Sequence, residues 1–216
     1  MFFLESFYLW LEQMFSDKIN HFPLIRLVVH SLDQAIVLFL LWIVIWGGYC
    51  WLNKKNVWKQ FKIRFPLQVC VFYLILLFEL TVFRYPITIF SVKVVVHTIK
   101  DIHLIPFNDS IRLLYGDSVF SILYNILGNV AWFIPLGWFV GRLSREHATK
   151  KALLIGCLVS LLIETLQFLF LTGVTHIDDV IWNTMGAVIG YQLYKIIKRT
   201  RKVFLKEKTN ETINRS

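Results

Sequence analysis

Residues 152–171, with the sequence ALLIGCLVSLLIETLQFLFL, form an apolar run whose one charged residue is Glu164. A helix of roughly 20 mostly apolar residues is long enough to cross the hydrocarbon core of a bilayer, which is about 30 Å thick. The chain has four further stretches of this kind, at residues 32–52, 65–83, 122–140 and 179–197. The pattern predicts an all-α, polytopic integral membrane domain of about five transmembrane helices over residues 32–197.

The composition agrees with a membrane protein and excludes several other classes of protein. Of the 216 residues, 56% are hydrophobic and 17% are charged, whereas about a quarter of a soluble globular domain is charged. The mean hydropathy is +0.59. Together these values exclude a disordered chain, a coiled coil and an ordinary cytosolic enzyme.

The basic residues lie between the apolar runs, where they indicate membrane topology rather than nucleic-acid binding. Five follow the first predicted span, four follow the third and eight lie in residues 195–216, which together are 17 of the 23. Because basic loops face the cytoplasm, we predict a multi-pass cell-membrane protein with its N-terminus outside and its C-terminus inside. Residues 198–216 are then a basic cytoplasmic tail, and we expect no nucleic-acid partner.

Residues 1–31 are predicted to form an amphipathic, interfacial segment. Residues 1–15 are expected to be helical, because Glu5, Glu12 and Ser16 recur at helical spacing and form a thin polar stripe. The aromatic and leucine side chains of this helix would then lie in the outer membrane interface.

Polar residues recur at one depth inside the predicted spans, in the half of the bilayer that faces outward. Several are three or four residues apart and therefore share a helix face. Inserting a carboxylate near the bilayer centre costs roughly 2.5 kcal/mol or more of free energy. Glu164 must therefore be protonated, paired with another group or hydrated. We interpret the set as a functional pocket, and polar contacts that only hold helices together are the alternative. Its members are Arg84, Asn125, Asn129, Glu164, Gln167, Asp178, Asp179 and Asn183.

Within this set, Glu164 and Asp179 are the hypothetical catalytic residues, and the other six are predicted to bind a ligand. Asp178 and Asp179 begin the fifth predicted span, and acids at a helix start also stabilise the helix without any catalytic role. On the same span, Gly186 and Gly190 form a small-xxx-small motif, which predicts close packing against a neighbouring helix.

Metal and cofactor sites are not predicted. The three cysteines lie in apolar runs without a partner at ligand spacing, and the six histidines show no HxxxH or HExxH pattern. Motifs of soluble enzymes, such as GxSxG and the P-loop, are also missing from the sequence.

Several blocks of the sequence resemble the VanZ-like membrane family. Residues 125–137, NILGNVAWFIPLG, are similar to the family motif NxxGNxxxFxPxG. The residues ETLQ at 164–167, followed by TGVTHIDDVIWNTMGA at 172–187, resemble its E-x-x-Q and DxDDxxxNTxGA blocks. HLIPF at 103–107 is similar to its NLIPF element, and the resemblance covers residues 70–197.

This resemblance implies a bacterial cell-envelope protein, expected in a Gram-positive host, that gives low-level resistance to teicoplanin-type lipoglycopeptide antibiotics. The first hypothesis is that the outer-leaflet pocket binds or alters a membrane lipid or a lipid-linked cell-wall precursor. The lipoglycopeptide would then be a direct or indirect partner. The sequence leaves open whether the protein forms a homo-oligomer.

Two other functions stay open. An intramembrane enzyme acting on a lipid-linked envelope intermediate would use Glu164 as general acid or base. In this alternative Asp178 and Asp179 would bind a divalent cation over a phosphate of the substrate, and Arg84 or Arg112 would clamp the negative charge. A small transporter or flippase is the third class, although five spans are few for a monomeric carrier and no inverted repeat is visible.

Overall fold

The computed structural model describes residues 1–16, 18, 22–84, 102–103, 119–144, 148–173 and 175–214. Within these residues the regular structure is helical, apart from two strands of two residues each. The strands are β1 (Ile102–His103) and β2 (Thr175–His176). The helices are α1 (Glu5–Phe15), α2 (Phe22–Leu52), α3 (Val57–Ile63), α4 (Phe65–Thr81), α5 (Val119–Leu143), α6 (Ala148–Phe170) and α7 (Ile177–Asn214).

Three helical segments in the described residues are long and apolar enough to cross a membrane: Phe22–Leu52, Ile126–Leu143 and Thr149–Phe170. α3 and α4 reach the same apolar content as a pair, but they are bent by 77° at their junction and form at most one broken span. The apolar helices therefore indicate a membrane protein with three or four candidate spans. The predicted span at 179–197 lies in α7, where acidic, amide and basic side chains dilute the apolar sequence, and it stays a prediction.

α2 begins ten residues before the predicted span at 32–52. Pro23 is its second residue, and proline suits the first helical turn because the N–H that it lacks would have no partner there. The added turns include His30 and Ser31, which are both buried in the fold. Hydropathy places the boundary too late because tertiary packing, rather than apolar sequence, covers these polar side chains.

The chain divides into two compact units. The first unit contains Met1–His103 and Leu162–Thr175, and the second contains Leu104–Leu161 and His176–Ser216. Helices α1 to α4 and the last turns of α6 therefore belong to the first unit. α5, most of α6, and α7 belong to the second.

In the first unit, α2 packs against α4 through aromatic and polar contacts along its length. The rings of Phe39 and Phe72 meet edge to face with centroids 5.3 Å apart. The indole nitrogen of Trp42 donates a hydrogen bond to Oε1 of Gln68 over 2.8 Å. Gln68 is 1% exposed, so this bond satisfies an acceptor that water cannot reach.

In the second unit, α5 and α7 meet at glycines. A Cβ atom on Gly186 would collide with the carbonyl oxygen of Val130, and one on Gly190 would collide with that of Ile134. The predicted small-residue packing face of α7 is thereby confirmed. Only glycine lets the two helix backbones approach so closely, because any side chain would have to occupy the position of a backbone atom.

Candidate functional site

The second unit brings together two predicted site residues from different helices. The side-chain nitrogen of Asn129 on α5 donates a hydrogen bond to Oδ1 of Asp179 on α7 over 2.6 Å. Both side chains are only partly exposed. The contact is short for an N–H···O bond, and it makes the amide of α5 a partner of the carboxyl group on α7.

A second polar contact of this unit joins α7 to α6. The side-chain nitrogen of Asn183 donates to the hydroxyl oxygen of Ser160 over 2.9 Å. Asn183 is 5% exposed and Ser160 is 0% exposed. Asn183 lies one helical turn after Asp179 on the same face of α7, so three helices contribute polar side chains to this region. Ser160 is absent from the predicted set, and its sequence signal is its position one turn before Glu164.

Small residues one turn away from these contacts explain how the polar side chains meet. Gly156 precedes Ser160 by one turn of α6, and Ala187 follows Asn183 by one turn of α7. A Cβ atom on Gly156 would lie 2.7 Å from the Cβ of Ala187, which is closer than real Cβ atoms approach. The helices are therefore near enough for short side chains such as serine and asparagine to bridge them.

Asp178 and Asp179 occupy the first turn of α7. Carboxylates are stabilised there by unpaired N–H groups and by the helix dipole. Asp178 is 6% exposed, and successive residues of a helix point about 100° apart. The two acids therefore have different environments, and Asp179 meets α5 through Asn129.

In the first unit, the end of α6 carries Glu164 and Gln167. The side-chain nitrogen of Gln167 donates to the carbonyl oxygen of Thr81 over 3.0 Å and ties the end of α6 to the end of α4. A Cβ atom on Gly173 would lie 3.3 Å from Cδ of Gln167, so glycine leaves room for this amide. Glu164 is 4% exposed and lies on the same face of α6 as Gln167.

The structure gives fewer contacts for the remaining predicted residues. Arg84 is exposed after the end of α4. The backbone of Asn125 belongs to α5, but its side chain, like the whole of Arg112, lies outside the described residues. One pocket shared by all eight predicted residues stays a prediction. Among the described residues, no group of three or more His, Cys, Asp or Glu could hold a metal ion.

Asp33 is a buried polar residue that the sequence analysis did not select. It is 0% exposed, and its carboxyl accepts hydrogen bonds from the backbone N–H groups of Phe2, Phe3 and Leu4 at 2.6, 2.7 and 2.8 Å. The carboxyl therefore fixes the chain just before α1 against α2. Its sequence signal is an acid at the second position of a predicted span.

The sequence comparisons identify related proteins. The model of the VanZ/LLP1 family matches residues 70–198, a range that includes every predicted site residue. Over 69 residues the chain is 36% identical to the protein described as Protein VanZ from Enterococcus faecium. The aligned stretch is 32% of this chain and spans 43% of the length of that relative. No solved structure matches the chain.

Proposed function

This chain belongs to the VanZ/LLP1 family, and from that premise we propose that it confers low-level resistance to teicoplanin-type lipoglycopeptides. The match to residues 70–198 confirms the VanZ-like resemblance. In the proposed mechanism, the protein binds or alters an outer-leaflet lipid or a lipid-linked cell-wall component. Less of the drug then reaches its target in the wall.

The observation that carries this proposal is the hydrogen bond between Asn129 and Asp179. The two residues come from different blocks that resemble the family motifs. Hydrogen bonds between membrane helices stabilise by only about 0.6 kcal/mol on average, while polar groups inside a span are costly to insert. Stability alone therefore does not explain the pair, and both side chains have the chemistry to exchange their bond for one to a polar headgroup.

The test is a teicoplanin susceptibility curve in a sensitive Gram-positive host. It compares vector, wild type, Asp179→Asn and Glu164→Gln at matched membrane abundance, with Glu5→Gln as the control at an exposed acid of α1. We expect protection by wild type and by Glu5→Gln and its loss in Asp179→Asn. If Asp179→Asn protects as well as wild type, the Asp179 carboxylate is not needed for resistance.

An intramembrane enzyme is the second candidate function, and the burial of Glu164 favours it. Ile163 beside it is 2% exposed, so Glu164 lies in a part of α6 that is shielded from solvent, as suits a general acid or base. The test is incubation of purified protein with polyprenyl phosphate or phospholipid in detergent. Turnover that disappears in Glu164→Gln would support the enzyme, and no turnover by wild type would count against it.

A further inference from the structure

The end of α4, in the first unit, carries a buried carboxyl group. Glu79 is 1% exposed. Its Oε2 atom has no hydrogen-bond partner within the part of the chain that the structure describes. A buried polar atom without a partner destabilises a fold, whereas an apolar side chain of similar size would not. Stability therefore does not explain a glutamate at this position.

The backbone around Glu79 is held in place by side chains. The hydroxyl of Ser31 on α2 donates to the carbonyl oxygen of Glu79 over 3.0 Å. The hydroxyl of Thr81 donates to the carbonyl of Leu77 over 2.7 Å, and Gln167 on α6 donates to the carbonyl of Thr81. The carbonyls of Glu79 and Thr81 are among the last four of the helix, which have no partner inside it. The bonds to them, with the further bond to Leu77, fix the last turn of α4. The Glu79 carboxyl is thus presented by a rigid helix end.

A second buried polar atom without a partner lies at the adjoining helix end. The hydroxyl oxygen of Thr172, just after α6, has no hydrogen-bond partner among the residues described. The ends of α4 and α6 are joined by the Gln167 bond and by the stacked rings of Phe83 and Phe170, whose centroids are 6.0 Å apart. Neighbouring helix ends of one unit therefore carry a carboxyl oxygen and a hydroxyl for which the described residues offer no hydrogen-bond partner.

We propose that Glu79 recognises a primary ammonium group of an envelope ligand, with the Thr172 hydroxyl donating to an oxygen of the same ligand. An ionised carboxylate only accepts hydrogen bonds, and N–H donors that carry a positive charge are its strongest partners. Asp33 in the same unit shows related chemistry, because its buried carboxyl accepts three N–H donors.

The position of Glu79 suits a headgroup. It lies two residues before the end of α4, which is about 3 Å along the helix axis. The sequence predicts a span at residues 65–83, and the ends of a spanning helix lie near the lipid headgroups. The inference rests on the proposed function, because it names the headgroup chemistry that an envelope-lipid binding protein would select. An ethanolamine phospholipid and a free primary amine both provide this chemistry.

The test uses the full chain, purified in nanodiscs that contain equal amounts of phosphatidylethanolamine and phosphatidylcholine. The lipid that remains bound after detergent dilution is counted by mass spectrometry. We expect wild type to retain phosphatidylethanolamine over phosphatidylcholine by about tenfold, the effect of one charge-assisted hydrogen bond. The trimethylated ammonium of phosphatidylcholine has no N–H to donate, so the pair of lipids isolates that bond.

The variants assign this preference to residues. Glu79→Gln should bring the ratio close to one and Thr172→Val should lower it partly, while Glu5→Gln, at an exposed acid, should leave it unchanged. A ratio near one in wild type, or an unchanged ratio in Glu79→Gln, would overturn the proposal. If Glu79→Gln does not assemble, Glu79→Asp, whose carboxyl is shorter, should lower the ratio, and an unchanged ratio in that variant would also overturn it.

Soluble ethanolamine, added to nanodiscs of phosphatidylcholine alone, distinguishes the two sources. A rise in the unfolding temperature of wild type that is absent in Glu79→Gln assigns the site to a free amine, and no rise together with the lipid preference assigns it to the headgroup. The antibiotic is not used in these measurements. The ammonium site can therefore fail while the resistance proposal holds, and the reverse outcome is equally visible.

Discussion

The buried polar side chains of the two units bond mainly to different groups, although Trp42 and Gln68 also form a side-chain pair in the first unit. In the first unit, Asp33 accepts from backbone N–H groups and Gln167 donates to a backbone carbonyl. In the second unit, Asn129 and Asp179 bond to each other. Backbone groups need a partner wherever they are buried, so the contacts of the first unit are part of its fold. A pair of side chains can separate without leaving a backbone group unpaired, and such a pair is the better candidate for a site that a ligand opens.

The largest effect is expected where the second unit depends on its glycines. Gly190→Leu would place a side chain on the carbonyl of Ile134 and force α5 and α7 apart. We expect a loss of at least about 3 kcal/mol in stability, seen as little folded protein in the membrane. Gly48→Leu is the control, because a Cβ atom there meets no atom within 4 Å. If Gly190→Leu reaches the wild-type amount of folded protein in the membrane, α5 and α7 do not pack as closely as described.

The next effect tests the backbone contacts of the first unit. Asp33→Ala removes the acceptor of three N–H groups. Each bond to a charged group contributes about 1.5–3 kcal/mol, so the segment before α1 should detach from α2. Hydrogen exchange should become at least about a hundredfold faster at residues 2–4, which corresponds to roughly 3 kcal/mol. Exchange in α7 should not change, and equal acceleration there would contradict a local role for Asp33.

A pair of alanine variants compares the two kinds of contact directly. Gln167→Ala leaves the carbonyl of Thr81 without its side-chain donor, which should cost about 1–3 kcal/mol. Asn129→Ala leaves the Asp179 carboxyl, which is partly exposed and lies at the positive end of the α7 dipole, so a smaller loss of about 0.6 kcal/mol is expected. Unfolding of purified protein in detergent measures both. If Asn129→Ala loses more stability than Gln167→Ala, the proposed difference between the two units is wrong.

The smallest effect concerns the backbone after α6. Leu171 has φ of 56°, a left-handed conformation that costs a residue with a side chain about 1–2 kcal/mol. It is also exposed, so its side chain contributes little to packing. Leu171→Gly should raise the stability by up to about 1 kcal/mol, whereas Leu171→Ala should give no such gain. Destabilisation by Leu171→Gly would mean that the leucine side chain has a role in membrane contact.

Hydropathy predicts most of the helices, because an apolar run that is long enough to cross a membrane rarely adopts any other secondary structure. It does not predict the early start of α2 at Phe22, since His30 and Ser31 are buried by tertiary packing that has no signal in the local sequence. It also misses α3, because Val57–Ile63 lies in the basic loop before the predicted span at 65–83 and has no long apolar run of its own. The helix at residues 1–15 follows from its polar stripe, and the structure places α1 at Glu5–Phe15.

Helical spacing predicts part of the site. It places Asp179 and Asn183 on one face of α7, and the glycine motif that follows them predicts the close neighbour that proves to be α5. It cannot tell which side chains bond to the backbone, because Gln167 and Asn129 are both amides inside apolar runs. Asp33 shows the same limit, since its partners lie about 30 residues away in the chain.

The measurement that tests the central claim most directly is teicoplanin susceptibility of an exchange variant, Asn129→Asp with Asp179→Asn. The exchange preserves one amide and one carboxyl in contact, so the hydrogen bond and the membrane abundance should be retained. It moves the carboxylate from the first turn of α7 to α5, and the account predicts that protection against the drug is lost. Full protection by the exchange variant at normal abundance would show that the pair only holds the helices together.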